Sequence, residues 1–225
     1  MKKITLAVFD MAGTTIDEDN VVYKTLQKAI NLSGRKVELD FVLRHGAGKE
    51  KHQAIKDILE AMGEDGVESH AIFSEFKTLL EKTYLDLAVR PYPGVEALLL
   101  TLKTHHIKVV LNTGYDRATA QLLLDKLRWV QGRHYDFCVT SDDVEQARPA
   151  ADMIFKAMEL TGIKDSSLVL KAGDSISDIE EGKNAGCGLV IGVTTGAHTA
   201  EQLNTAAPSY VLNTLNYLLE YINLS

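Results

Sequence analysis

Four short apolar runs in this chain lead into polar residues, and that pattern limits the possible fold more than any other feature. Leu6-Ala7-Val8-Phe9 stops at Asp10 and a Gly13-Thr14-Thr15 turn. Val109-Val110-Leu111 stops at Asn112-Thr113-Gly114-Tyr115. The run at 137–139 precedes Ser141-Asp142-Asp143 and then Arg148-Pro149, and the run at 168–172 meets Gly173-Asp174-Ser175-Ile176-Ser177-Asp178. Short apolar runs bounded by turn residues read as buried strands. In a parallel α/β sheet, functional groups gather beyond the carboxyl ends of the strands. The polar residues are therefore expected along one edge of one sheet.

The intervening pattern supports this. From 95 onward, helical stretches at 95–105, 117–127, 151–161 and 176–185 alternate with strand-like stretches at 107–111, 137–139, 168–171, 189–193 and 210–212. Such alternation implies an α/β fold, a doubly wound parallel sheet with helices on both faces. The first strand, about 5–9, is separated from the others by a purely helical region. Val22, Leu26, Ala29 and Ile30 share one helical face, as do Ala54, Ile55, Ile58 and Leu59 in a helix expected at 49–62. Pro91-Tyr92-Pro93-Gly94 ends this region. The expected organisation is a core of 1–15 and 92–225 with an all-helical cap, 16–91, inserted after the first strand.

Charge and composition exclude several functions. A net charge of −7 over 225 residues, without a basic run, leaves no nucleic-acid footprint. Lys2 and Lys3 precede an apolar run that Asp10 cuts too short for a signal peptide. No stretch approaches the ~20 apolar residues that span a bilayer. Cys138 and Cys187 have neither metal-ligand nor disulfide spacing. A cytoplasmic protein is expected, as a monomer or homodimer, with a small-molecule ligand.

The strand-end residues suit phosphoryl chemistry. Asp10 and Asp174 offer hard oxygens of the kind Mg²⁺ takes. Thr113 and the amide of Gly114 can hydrogen-bond phosphate oxygens, and Arg148 can neutralise them with a forked set of donors. Phosphoryl transfer is catalysed mostly by positioning and charge stabilisation, which these groups supply. Singly, each has a plainer role. Asp174 and Asp178 could cap a helix, Thr113 could form a turn, and Arg148 could make a surface ion pair.

Asp10-Met11-Ala12-Gly13-Thr14, Thr113-Gly114-Tyr115, Arg148-Pro149 and Gly173-Asp174-Ser175-Ile176-Ser177-Asp178 resemble, in order, the four motifs of the haloacid dehalogenase superfamily. Within it, the chain is most similar to the phosphonoacetaldehyde hydrolases, or phosphonatases. The resemblance implies that Asp10 attacks phosphorus to form an aspartyl-phosphate. It implies that Mg²⁺ is held by Asp10, the Ala12 carbonyl and Asp174, with Asp178 behind them. It also implies phosphate binding by the 12–13 turn, Thr113, Gly114, Tyr115 and Arg148.

Ala12 discriminates among the members. Most phosphatases of this superfamily carry a second aspartate there, which protonates the leaving oxygen. Phosphonatases carry alanine, because their leaving group is carbon. They make it leave as an enamine, through a Schiff base between a cap lysine and the substrate aldehyde. Gly46-Ala47-Gly48-Lys49-Glu50-Lys51-His52 resembles that cap motif, a glycine followed at +3 by the lysine and at +6 by a histidine. This assigns the imine to Lys49 and a proton shuttle to His52, with Lys51 pointing elsewhere on a helix. The motif departs from phosphonatases at His45, where they have methionine, and at Asn20, where they have cysteine. The expected activity is Mg²⁺-dependent cleavage of the P–C bond of phosphonoacetaldehyde or a close analogue. A phosphomonoesterase of the same fold is the second reading, and a non-catalytic phospho-ligand binder the third.

Overall fold

The computed structural model describes residues 2–64 and 68–224. Six strands form one sheet: β1 (Leu6–Asp10), β2 (Lys108–Thr113), β3 (Phe137–Thr140), β4 (Val169–Gly173), β5 (Leu189–Val193) and β6 (Tyr210–Leu212). All neighbours run parallel, in the spatial order β3-β2-β1-β4-β5-β6. The order reverses at β1, and a crevice at the carboxyl ends of the strands there is where doubly wound sheets bind ligands.

Alternation of side chains across the pleat explains why the sheet is covered on both sides. Ala7 and Phe9 of β1 face the larger apolar cluster with Leu98, Leu99 and Leu102. Leu6 and Val8 face the other side, against Met153, Ile154 and Ala157. The helices supplying those residues are α5 (Val95–Thr104) and α7 (Asp152–Thr161); α6 (Arg117–Leu127), α8 (Ile176–Asn184) and α9 (Ala200–Thr205) complete the layers.

Between β1 and α5 lie α1 (Val21–Leu32), α2 (Leu39–Gly46), α3 (Lys51–Ala61) and α4 (Ser69–Asp86). They pack together through Leu26, Ile30, Ile55, Ile58 and Phe76, in the same apolar cluster as Phe9. The chain enters and leaves this helical segment side by side, where Ile16–Asp17 pairs antiparallel with Arg90–Pro91. No helix among the described residues is long and apolar enough to cross a membrane.

Three boundaries differ from the sequence reading in ways that matter. The strands run further: β1 includes Asp10, and β2 reaches Thr113. Their ladders continue through these polar residues, with Asp10 in register with Asn112 and Thr113 with Thr140. Helix α3 starts later, at Lys51, with the Glu50 carboxylate capping the amides of His52 and Gln53. Lys49 precedes the helix. The short α9 and the pairing of Lys2–Lys3 with Ile222–Asn223 carried no sequence signal strong enough to be read.

Candidate active site

The carboxyl ends of β1, β2 and β4 and the loop after β3 meet beneath the helical segment. Asp10, the last residue of β1, is buried, and its Oδ1 accepts a 2.7 Å hydrogen bond from Arg148 Nη1. After it the chain turns tightly: the amides of Thr15 and Ile16 donate to the Met11 carbonyl at 2.9 and 2.8 Å. Gly13 makes this turn at φ 85°, and a Cβ there would sit 2.7 Å from the Asp174 carboxyl carbon. Only glycine satisfies both constraints. Asp174 follows β4; its Oδ2 accepts from the Ala197 amide at 2.6 Å and its Oδ1 from Thr14 Oγ1 at 3.2 Å.

Carboxylate oxygens of Asp10, Asp174 and Asp178 lie within 4.8 Å of one another, all three buried. Burial pushes Asp10 up to about 6; Arg148 opposes the rise and Asp178 adds to it. Burial, together with Asp10 and Asp178, pushes Asp174 well above the usual carboxylate range. Burial also works against ionisation of Asp178, but Arg148 and Lys171 overcome it and hold that group low. An oxygen-only donor set whose charges repel one another suits a hard divalent cation. The residues present therefore fit the metal expected from the sequence.

Arg148, expected to face phosphate, turns its donors to the protein. Nε donates to Glu181 at 3.0 Å, Nη1 pairs with Asp10 and lies 2.9 Å from Asp178, and Nη2 donates to the Asn112 carbonyl at 2.6 Å and to its side chain. With its donors committed to the protein, the guanidinium fixes Asp10 from behind and is not an open fork for phosphate. Lys171, fully buried in β4, completes this network with 2.9 Å contacts to Asp178 and Glu181 and a 3.0 Å bond to Asn112 Oδ1. Neither Lys171 nor Glu181 was recognised from the sequence.

The helical segment reaches the site through the loop before α3. Gly48 donates to Tyr23 Oη at 2.9 Å, and Ser177 Oγ donates to the Ala47 carbonyl at 3.2 Å. Gly48 is at φ 76°, and a Cβ there would lie 3.0 Å from Ser177 Cβ, so the loop seats on the core only as glycine. This loop delivers a lysine, but not Lys49. Lys49 Nζ pairs with Asp57 on α3. His52 Nε2 meets Ser69 Oγ at 2.9 Å, and its ring lies beside His70 and Phe73.

Lys51 is the buried amine, only 6% exposed. Its Nζ donates to the Lys49 carbonyl at 2.5 Å and lies 4.9 Å from the centre of the Tyr115 ring and 5.5 Å from that of Tyr23. It lines a cavity of about 10 Å³ together with Asp10, Ala12, Thr113, Gly114, Arg148 and Asp174. Lys51, Gly114 and Tyr115 also border an adjoining cavity of about 310 Å³ with Phe73, Phe76 and Leu80. Burial, reinforced by Arg148, lowers Lys51 to about 8, although Asp10, Glu50 and Glu18 pull the other way. The reading that Lys51 points away assumed one helix through both lysines. Because the helix starts at Lys51, the two side chains diverge.

A family model described as haloacid dehalogenase-like hydrolase matches residues 7–192. The chain belongs to this family. This hydrolase is 31% identical over 206 residues to a phosphonoacetaldehyde hydrolase of Latilactobacillus sakei, an alignment covering 86% of this chain and 76% of the relative. Its fold matches that of a hydrolase from Pseudomonas syringae with a TM-score of 0.86 at 21% identity, covering 97% of this chain and all of the other. A phosphonoacetaldehyde hydrolase-like protein from Oleispira antarctica superposes with a TM-score of 0.83 at 21% identity, covering 96% and 91% of the two chains.

Proposed function

We propose that this hydrolase cleaves the P–C bond of phosphonoacetaldehyde or a close analogue, through an aspartyl-phosphate at Asp10 and an imine at Lys51. The observation that carries this reading is one cavity lined by Asp10, Ala12 and the buried Lys51 amine. Ala12 supplies no acid for a leaving alkoxide, so a phosphomonoester would depart unaided. A carbon leaving group needs an electron sink instead, and a protonated imine is one. With Lys51 at about 8, roughly a tenth of the amine is neutral at about pH 7, against well under a thousandth for an ordinary lysine.

Lys51 adds to the substrate carbonyl and loses water to give the imine. Asp10, aimed by Arg148, attacks phosphorus. The P–C bonding pair moves into the carbon–nitrogen system as an enamine. Protonation and hydrolysis of the enamine release the aldehyde and restore Lys51, and water hydrolyses the aspartyl-phosphate. Thr113 and the Gly114 amide stand beside Asp10 to hold phosphate oxygens. A Mg²⁺ ion would be held by Asp10, the Ala12 carbonyl and Asp174, with Asp178 supporting; when bound, it neutralises charge on the transferring phosphoryl group. The test is product analysis with phosphonoacetaldehyde and a panel of phosphomonoesters. Acetaldehyde and phosphate from the former support the reading; turnover confined to the phosphomonoesters refutes it.

A further inference from the structure

A carbonyl carbon carries three groups, and the proposed reaction at Lys51 assigns two of them. One is the methylene that carries phosphorus to Asp10. Another is the oxygen that the Lys51 nitrogen replaces. In phosphonoacetaldehyde the third is only a hydrogen, yet the structure has room for much more. Lys51, Gly114 and Tyr115 border both the Asp10 cavity and the adjoining one of about 310 Å³, so the amine stands where the two meet. The larger cavity lies between the helical segment and the core, with Phe73, Phe76 and Leu80 of α4 on one side and Thr119 of α6 on the other. Past Phe76, Leu80 and Thr119 it continues into a further space of about 140 Å³ bordered by Leu122 and Lys77.

The lining has a definite chemistry. The rings of His52, Phe73 and Phe76 follow one another as a stacked row, with centres 5.1 and 6.2 Å apart. His52, the expected proton shuttle, is thus part of an aromatic wall. Tyr115 is held in place by its Oη, which donates to the buried Glu18 carboxylate at 3.2 Å; Glu18 also accepts from Tyr84 Oη of α4 at 2.7 Å. The carboxylates on the lining are Glu50, Asp116 and Asp142. Backbone amides fix each of them: those of His52 and Gln53 on Glu50, that of Thr119 on Asp116 and that of Arg117 on Asp142. Among the described residues, Lys51 is the one lysine or arginine on the lining. Apolar and aromatic walls favour an uncharged group there, and the fixed carboxylates repel an anionic one.

We infer that the larger cavity is a subsite for an uncharged alkyl or aryl group on the carbonyl carbon, so that the substrates of this hydrolase include 2-oxoalkylphosphonates larger than phosphonoacetaldehyde. The inference rests on the proposed imine at Lys51 and names a substrate class for it. The reaction balances. Lys51 and the ketone give a ketimine and one water. Asp10 takes the phosphoryl group, and the P–C bonding pair becomes the enamine. Protonation at carbon and hydrolysis by one water release a methyl ketone and restore Lys51. A second water releases phosphate from Asp10, so each turnover consumes one water.

Three ketones, assayed beside phosphonoacetaldehyde with the full-length protein, test the subsite. In 2-oxo-4-phenylbutylphosphonate a phenyl ring lies two methylenes beyond the carbonyl. In 2-oxopropylphosphonate a methyl group stands there instead, and 4-oxo-5-phosphonopentanoate has a carboxylate in place of the ring. All are dialkyl ketones of similar reactivity, so kcat/KM from phosphate release reports the subsite. The phenyl ketone should exceed the methyl ketone by at least about tenfold. The carboxylate ketone should fall below both. Thr119→Trp fills the cavity from the core side at a half-buried position. With folding verified by cooperative urea unfolding, it should lower the phenyl-to-methyl ratio at least about tenfold; the wild-type panel decides without it. With phosphonoacetaldehyde cleaved, a phenyl ketone that is no better than the methyl ketone overturns the subsite alone. So does a carboxylate ketone cleaved as fast as the phenyl ketone, or a ratio unmoved in folded Thr119→Trp. Release of no phosphate from phosphonoacetaldehyde or any ketone overturns the P–C reading and this inference together.

Discussion

A buried carboxyl that must ionise imposes a cost on folding, and its size at Glu18 can be worked out. The group shifts from 4.5 in a solvated chain to about 7 in the folded protein, chiefly through burial. An acid whose folded value is raised favours folding in its protonated form. That contribution is complete below about 4.5 and is lost as pH rises towards about 7. Between about pH 5 and about pH 8 the wild type should lose about 2.5 kcal/mol through this one residue. Glu18→Gln removes the ionisation yet keeps an acceptor for one phenol and a donor to the other. Urea unfolding of both proteins at those two pH values isolates the effect, because every other titrating group is shared. The variant should gain on the wild type by about 2.5 kcal/mol from the lower to the higher pH. Stability differences that stay equal within about 0.5 kcal/mol would show that Glu18 is not perturbed in the folded chain.

Asp10→Asn should abolish hydrolysis while leaving the cooperative unfolding transition in place, since the amide keeps shape but cannot attack phosphorus; turnover within a few fold of wild type would contradict the covalent route. Ala12→Asp places an acid beside the nucleophile and should raise phosphomonoester hydrolysis by roughly 10²–10⁴-fold, measured as phosphate release from a folded preparation. Lys171→Met keeps length but leaves Arg148 as the cation that pairs with both Asp178 and Glu181. It should cost about 3–5 kcal/mol in urea unfolding, and a loss under about 1 kcal/mol would argue against a coupled buried network.

The doubly wound sheet was legible because apolar runs and turn residues alternate with helical periods, and each strand's last polar residue marks the same edge. Asp10, Thr113 and Asp174 could be placed on that edge for this reason. The burial of Arg148 behind Asp10 was not legible, because it depends on Glu181 and Asn112, which belong to different strands and helices. Local geometry makes the lysine read from the sequence, Lys49, differ from the one that lines the cavity with Asp10, Lys51. Gly46 and Gly48 each have a lysine three residues on, Lys49 and Lys51, and the cap that decides between them is Glu50, a residue type that seldom signals a helix start. Glu18 was hidden in an acidic turn that reads as solvated. Its burial comes from Tyr84 and Tyr115, which lie 66 and 97 residues further along the chain.

The central claim is that a P–C bond is broken through an imine at Lys51. Reduction with borohydride in the presence of phosphonoacetaldehyde, followed by digestion and mass spectrometry, tests it most directly. The account predicts one substrate-derived adduct, on Lys51, lost in Lys51→Arg together with P–C cleavage, while binding of inorganic phosphate persists. An adduct on Lys49, or normal P–C cleavage by Lys51→Arg, would contradict it.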